Sequence, residues 1–171
     1  YGRDLYGSLK LPELLDRLSE IRGIEWLRLL YCYPENITEE LLEVMASNRK
    51  VLHYLDLPLQ HADDKILNAM NRPGSAAEIA ALIQRIRDRI PDIALRTTFI
   101  CGFPGEGDTE FENLAVFINE TEFDHLGCFT FSPQAGTPAA LLPDTVDDDT
   151  KAHRVELIMQ DQYSIAELRR E

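Results

Sequence analysis

The sequence is short of cysteine, of basic charge and of long apolar runs. Three cysteines in 171 residues, Cys32, Cys101 and Cys128, stand 69 and 27 residues apart. So wide and odd a set makes no disulfide framework and no CxxC-type metal site. Each falls in an apolar stretch, where a thiol packs as a small hydrophobe, and a reducing, cytoplasmic compartment is expected. Lys and Arg number 17 against 30 Asp and Glu, a net charge of −13. That balance speaks against a surface gripping nucleic acid through its phosphates, and solubility alone accounts for it equally well. No apolar run reaches the roughly 18 residues of a membrane span, and the opening YGRDLYGSLK has no apolar signal core, so no membrane partner is expected. The chain starts at Tyr1 rather than at a Met. We read it as a piece of a longer protein, with residues 1–171 forming a single domain.

What is present is an alternation of helical and strand patterns. Leu14, Leu15, Leu18 and Ile21 share one face of a helix that Gly23 ends. WLRLLYCY (26–33), closed by Pro34, reads as a short buried strand. Thr38 is placed to cap a helix running from Glu39. VLHYLDLPLQH (51–61) reads as a second strand, with Pro58 marking its exit. DDKILNAM and SAAEIAALIQRIRDRI are helices broken at Arg72-Pro73-Gly74, and Ser75 with Glu78 forms a capping box. IALRTTFI and HLGCFTFS read as strands, with a helix opened by Asp108 between them and a long helix closing the chain. Strand starts near Trp26, Leu52, Ile93 and His125 suit parallel strands joined by helical crossovers. The expected fold is α/β: an open parallel sheet of about four strands, too few to close a barrel and so at most part of a (β/α) barrel.

In parallel α/β folds ligands sit at the carboxyl ends of strands. Those ends offer Tyr31 to Pro34, then Asp56, Gln60 and His61, then Gly102-Phe103-Pro104-Gly105-Glu106, then Ser132 and, beyond it, Thr137. The two glycines would let backbone approach a ligand without a Cβ in the way, and Pro104 would fix the turn; a tight strand-to-helix connection explains the same residues. His61 is a candidate acid/base or metal ligand, or a hydrogen-bonded structural residue. His53, His125 and His153 share no ligand spacing with it. Asp56 and Glu106 are a possible acid/base pair. Ser132 lacks a His-Asp context for nucleophilic catalysis.

The segments YGRDLYG, LRLLYCYP, YLDLPLQHADDKILNAMNRPGS, LRTTFICGFPGEGDTEFENL and FDHLGCFTFSPQAGTPAALLPD, with Gln160 and Gln162 in the last helix, together resemble the radical S-adenosylmethionine methylthiotransferases. YLDLPLQHA, RTTFI and GCFTFSP are more similar to the branch acting on a ribosomal protein than to the transfer-RNA branch. The resemblance implies a partial (β/α) barrel that binds S-adenosylmethionine, and a full-length protein carrying two four-iron four-sulfur clusters. One cluster cleaves S-adenosylmethionine reductively, and the radical formed abstracts a hydrogen before methylthiolation of an aspartate β-carbon on the twelfth protein of the small ribosomal subunit. A transfer-RNA adenosine is the alternative substrate, and a non-catalytic α/β binding module the alternative class. The family's CxxxCxxC loop is absent, so the cluster ligands are expected outside this chain, no metal site within it, and the chain alone is expected to be inert. Carried over residue by residue, the resemblance places Gly102, Phe103, Pro104, Gly105 and Glu106 near adenine and ribose, and Gln60 and His61 facing the cofactor. Arg96 and Thr98, on one strand face, are placed within reach of the methionyl carboxylate, with Ser132 and Thr137 on the same rim.

Overall fold

A computed structural model describes residues 1–143 and 145–169. The elements run α1 (Arg3–Tyr6), α2 (Leu11–Ser19), α3 (Glu39–Ser47), β1 (Tyr54–Gln60), α4 (Asp64–Ala69), α5 (Ala76–Arg89), β2 (Ala94–Cys101), α6 (Asp108–Thr121), β3 (His125–Thr130) and α7 (Asp148–Leu168). The strands pair in parallel in the order β1-β2-β3, each reached by a helical crossover. The sheet is open.

Local signals explain most boundaries. Thr38 accepts the Leu41 N–H at the start of α3, and Ser75 and Glu78 exchange both bonds of a capping box before α5. At the far end of α5, Arg87 reaches across to α6, donating to the Thr121 and Glu122 carbonyls at 2.6 and 2.8 Å. Those carbonyls have no partner within α6, so one guanidinium ties two crossover helices together. α2 is shorter than its apolar spacing predicts: it ends at Ser19, only Leu15 is buried within it, and Ile21 is exposed.

Alternation along β2 divides the sheet. Leu95, Thr97, Phe99 and Cys101 are buried, and Arg96, Thr98 and Ile100 between them are half-exposed. Leu55, Leu57, Leu59, Leu95, Phe99, Cys101, Leu126 and Cys128 join Met45, Ile83, Ile118 and Ile158 from the helices in one core. The other face carries Tyr54, Asp56, Arg96, Thr98, Ile100, Gly127 and Phe129 by the register of the three strands.

Two expectations need correction. The segment 26–33 is not a strand: it makes a single bridge, Leu27 with Val51. Three backbone bonds hold it beside β1: Leu27 N to Lys50 O at 2.7 Å, Leu52 N to Leu27 O at 2.9 Å, and Cys32 N to Asp56 O at 2.8 Å. Leu29 alone of its large apolar side chains is buried, Trp26 and Tyr31 are about three-quarters exposed, and Tyr31 at φ 57° leaves the extended region. Among the described residues the sheet therefore has three strands, not four. Pro58 does not mark the exit of β1 but lies inside it. The register runs Leu57–Thr97 and then Gln60–Phe99, so Pro58 and Leu59 together face Thr98 as a bulge. A residue without an N–H is tolerated there because the ladder is already interrupted.

Candidate functional site

The carboxyl ends of the strands and the face opposite the core form the candidate site. Arg96 lies on that face. Its Nη1 donates to Asp56 Oδ1 at 2.9 Å; the Asp56 side chain is 2% exposed and that of Arg96 37%. Asp56 Oδ2 also accepts the Tyr31 N–H at 3.4 Å. The anion that a half-buried guanidinium requires is thus supplied within the chain, and Asp56 is bound to Arg96 rather than to Glu106. Thr98 is two residues further along and faces Gly127 across the ladder; an added Cβ at Gly127 would meet nothing closer than Phe129, at 3.5 Å. The Arg28 guanidinium lies 3.8 Å over the Tyr54 ring on the same face.

The Gly102–Glu106 turn is held differently from the expectation. Gly102, Phe103, Pro104 and Glu106 are buried, and only Gly105 is exposed. Gly102 sits at φ +79°, where a side chain is strained, and the place of its missing Cβ is taken by the Lys151 stem, whose Cγ would lie 2.1 Å away. Its glycine character therefore answers to Lys151 of α7. The Gly105 N–H donates to Thr145 Oγ1 at 3.1 Å, and its carbonyl accepts from Lys65 Nζ at 3.0 Å. The Phe103 ring meets Phe131 edge-on at 5.0 Å.

His61 and Glu106 meet, but wholly inside the protein. His61 Nε2 and Glu106 Oε2 are 3.1 Å apart with both side chains 0% exposed. The Asp63 N–H donates to His61 Nδ1 at 3.0 Å, so Nε2 carries the ring hydrogen and donates it in a hydrogen bond to Glu106 Oε2. Arg154 donates from Nη1 to Glu106 Oε1 at 2.9 Å and to the Glu106 carbonyl at 3.0 Å, and from Nη2 to Asp108 at 2.8 Å. Both nitrogens of His61 and both oxygens of Glu106 are thus engaged by the protein. Gln60, at φ 73°, is half-exposed at the end of β1, and Ser132 is exposed beyond β3. Thr137 does not reach this rim by any bond among the described residues: it accepts from Ala140 N and donates to Gln134 O, capping a short 3-10 turn.

The cysteines do not form a cluster site. Cys101 Sγ and Cys128 Sγ are 3.4 Å apart in the core, and the Cys101 thiol is held in its protonated form by its bond to Cys128 and by burial. Cys32 is half-buried beside β1, its thiol pushed up to about 11 by burial and by the Asp56 charge. Cluster ligands are thiolates held together, and no three His, Cys, Asp or Glu among the described residues could hold a metal ion. No described helix is long and apolar enough to cross a membrane.

Residues 5–118 match the Radical SAM superfamily model. The chain belongs to that superfamily. Its relatives include proteins named ribosomal protein uS12 methylthiotransferase RimO. That of Desulfitobacterium hafniense is 49% identical over 166 residues, 97% of this chain and 37% of the relative. That of Moorella thermoacetica is 50% identical over 165 residues, 96% of this chain and 38% of the relative. The chain therefore spans a little over a third of their length. Among solved structures, the radical SAM enzyme coproporphyrinogen III oxidase (HemN) of Escherichia coli superposes with a TM-score of 0.73 at 16% identity, over 91% of this chain and 37% of that one. That likeness bears out the open parallel sheet as part of a radical SAM fold.

Sequence reasoning missed Lys151 and Arg154. A signal was there: positions 151, 154, 158, 162 and 165 form the buried stripe of α7, so two cations and a glutamine stand where apolar residues are ordinary.

Proposed function

We propose that this chain is part of the S-adenosylmethionine-binding core of a radical methylthiotransferase that modifies an aspartate of ribosomal protein uS12. The observation carrying the proposal is the 49% identity over 97% of the chain to a protein of that name. A shared fold needs far less, since HemN keeps it at 16%.

S-adenosylmethionine, once bound, supplies the hydrogen-abstracting radical by reductive cleavage. This chain's share is to hold and orient it. Asp56 fixes Arg96 by one nitrogen, leaving the rest of the planar fork for a carboxylate such as the methionyl group. Thr98 offers a hydroxyl beside it, and Gly127 opposite leaves room. Ile100 and Phe129 pair across the ladder with Phe129 largely exposed, a flat apolar surface suited to a purine. Gln60 and the exposed Gly105 border the same end, with Gly102, Phe103 and Pro104 packed behind as its wall and Ser132 at its outer edge. The four-iron clusters of the family do not fit the residues here, and we assign no step of them to this chain.

The test uses the full-length protein, reconstituted anaerobically and given S-adenosylmethionine, a reductant and either uS12 or transfer RNA. Deoxyadenosine release with a methylthio mass gain on an aspartate of uS12 is expected. Modification of transfer RNA alone, or neither product, overturns the proposal.

A further inference from the structure

Lys151 and Arg154 are charged yet only 2% and 6% exposed. Burying a charge is costly unless each is met by good partners, so what they meet is informative. They stand three apart on one face of α7, whose start Asp147 caps by accepting the Thr150 N–H at 2.9 Å. Lys151 fills the gap at Gly102. Arg154 takes the Glu106 carboxylate and carbonyl together, and Asp108 besides. From the opposite side His61, at the exit of β1, donates to the remaining Glu106 oxygen. The five-residue turn is thus gripped at both ends by α7 and braced from β1.

We propose that Lys151, Arg154 and His61 are positioning residues that fasten the Gly102–Glu106 turn as one wall of the S-adenosylmethionine site. This rests on the reading above that the turn borders that cofactor. A turn with two positive-φ glycines (Gly102 at 79°, Gly105 at 90°) has ready access to other conformations. The network is satisfied only when β1, the turn and α7 are docked together: undocking the turn or α7 strands a buried charge, and undocking β1 leaves a buried Glu106 oxygen without its donor. The wall is therefore ordered before the cofactor arrives, and binding does not bear that ordering cost.

The experiment compares wild type, Arg154→Lys, Arg154→Ala and the paired variant Glu106→Gln with Arg154→Met, in the reconstituted full-length protein. The paired variant leaves no buried charge alone and keeps an acceptor for His61, so it serves where Arg154→Ala fails to fold. The readouts are the KM for S-adenosylmethionine and the kcat for deoxyadenosine, together with hydrogen exchange at residues 102–107. In the folded variants KM is expected to rise about threefold to thirtyfold with kcat little changed, exchange rising at 102–107 and not in β2. Arg154→Lys, which keeps the charge but loses the fork, is expected to fall between. Unchanged KM in every folded variant overturns the inference, whether exchange stays as in wild type or rises throughout the chain. Wild type that binds no S-adenosylmethionine overturns the reading beneath it; wild type that binds beside variants that bind equally overturns the inference alone.

Discussion

The segment 26–33 and the turn 102–106 invite comparison, because each leads the chain along or away from the sheet. The first exposes Trp26, Leu30, Tyr31 and Tyr33 and is held by three backbone bonds and by the Tyr31 N–H to Asp56 Oδ2. The second exposes only Gly105 and is held by side chains from α4, α7, the β1 exit and the stretch before α7. The turn has two glycines, a proline and a glutamate where the segment has none, but that difference does not by itself say which is buried. What separates them is how many side chains other elements deliver: buried polar groups must be paired, and where the segment has Asp56, the turn has Arg154, Lys65 and Thr145 converging on it.

The sharpest way to break this comparison is Arg154→Ala. It leaves the Glu106 carboxylate buried without its cation and is expected to cost about 3–5 kcal/mol, read as a lowered urea midpoint of the chain. A shift no larger than that of a surface substitution would show the turn to be as loosely held as the 26–33 segment. Next come the two glycines. Gly102→Ala and Gly105→Ala both force a side chain into the left-handed region, about 1–2 kcal/mol. Gly102→Ala must also displace the Lys151 stem, while Gly105→Ala meets nothing within 4 Å, so Gly102→Ala is expected to be clearly the more destabilising. Equal midpoints would remove Lys151 from the account. Trp26→Ser, at a side chain 74% exposed, is expected to move stability by no more than about 0.5 kcal/mol.

The mildest probe is thiol reactivity. The Cys32 thiol, raised to about 11, stays protonated at neutral pH, and only the thiolate attacks. Its alkylation by iodoacetamide is expected to quicken about tenfold per pH unit above neutrality and to level off near pH 11. Cys101, raised by its bond to Cys128 and by burial, is expected to stay unlabelled until the chain unfolds. Adducts located by mass spectrometry check both, and labelling of Cys101 before Cys32 would reverse the contrast.

The parts legible in the sequence are those set by short-range rules. The capping box at Ser75 and Glu78, the Thr38 cap and strands β2 and β3 depend on residues a few positions apart. The open parallel sheet followed from their spacing. The 26–33 segment was illegible because eight residues with strand propensity say nothing about whether a neighbour pairs with them. Pro58 misled because a proline at a bulge and a proline at a strand end look alike until the register is known. The shared strand face of Arg96 and Thr98 followed from alternation, but Asp56 as the partner of Arg96 lies 40 residues away. His61 and Glu106 were found as residues but not as partners of each other, because their third member, Arg154, lies 48 residues beyond Glu106 on the last helix.

The separation within that trio also sets an order of events in synthesis. Glu106 follows His61 by 45 residues, and Arg154 follows Glu106 by 48. A chain made from its amino end presents β1, β2 and the turn well before α7 exists. Until then Glu106 has only the His61 ring for company and is better left in water. The strands can pair early, through apolar contacts that need no cation, but the wall at the end of β2 closes only when the final helix docks. In this chain the residues nearest the candidate chemistry are the last to reach their places.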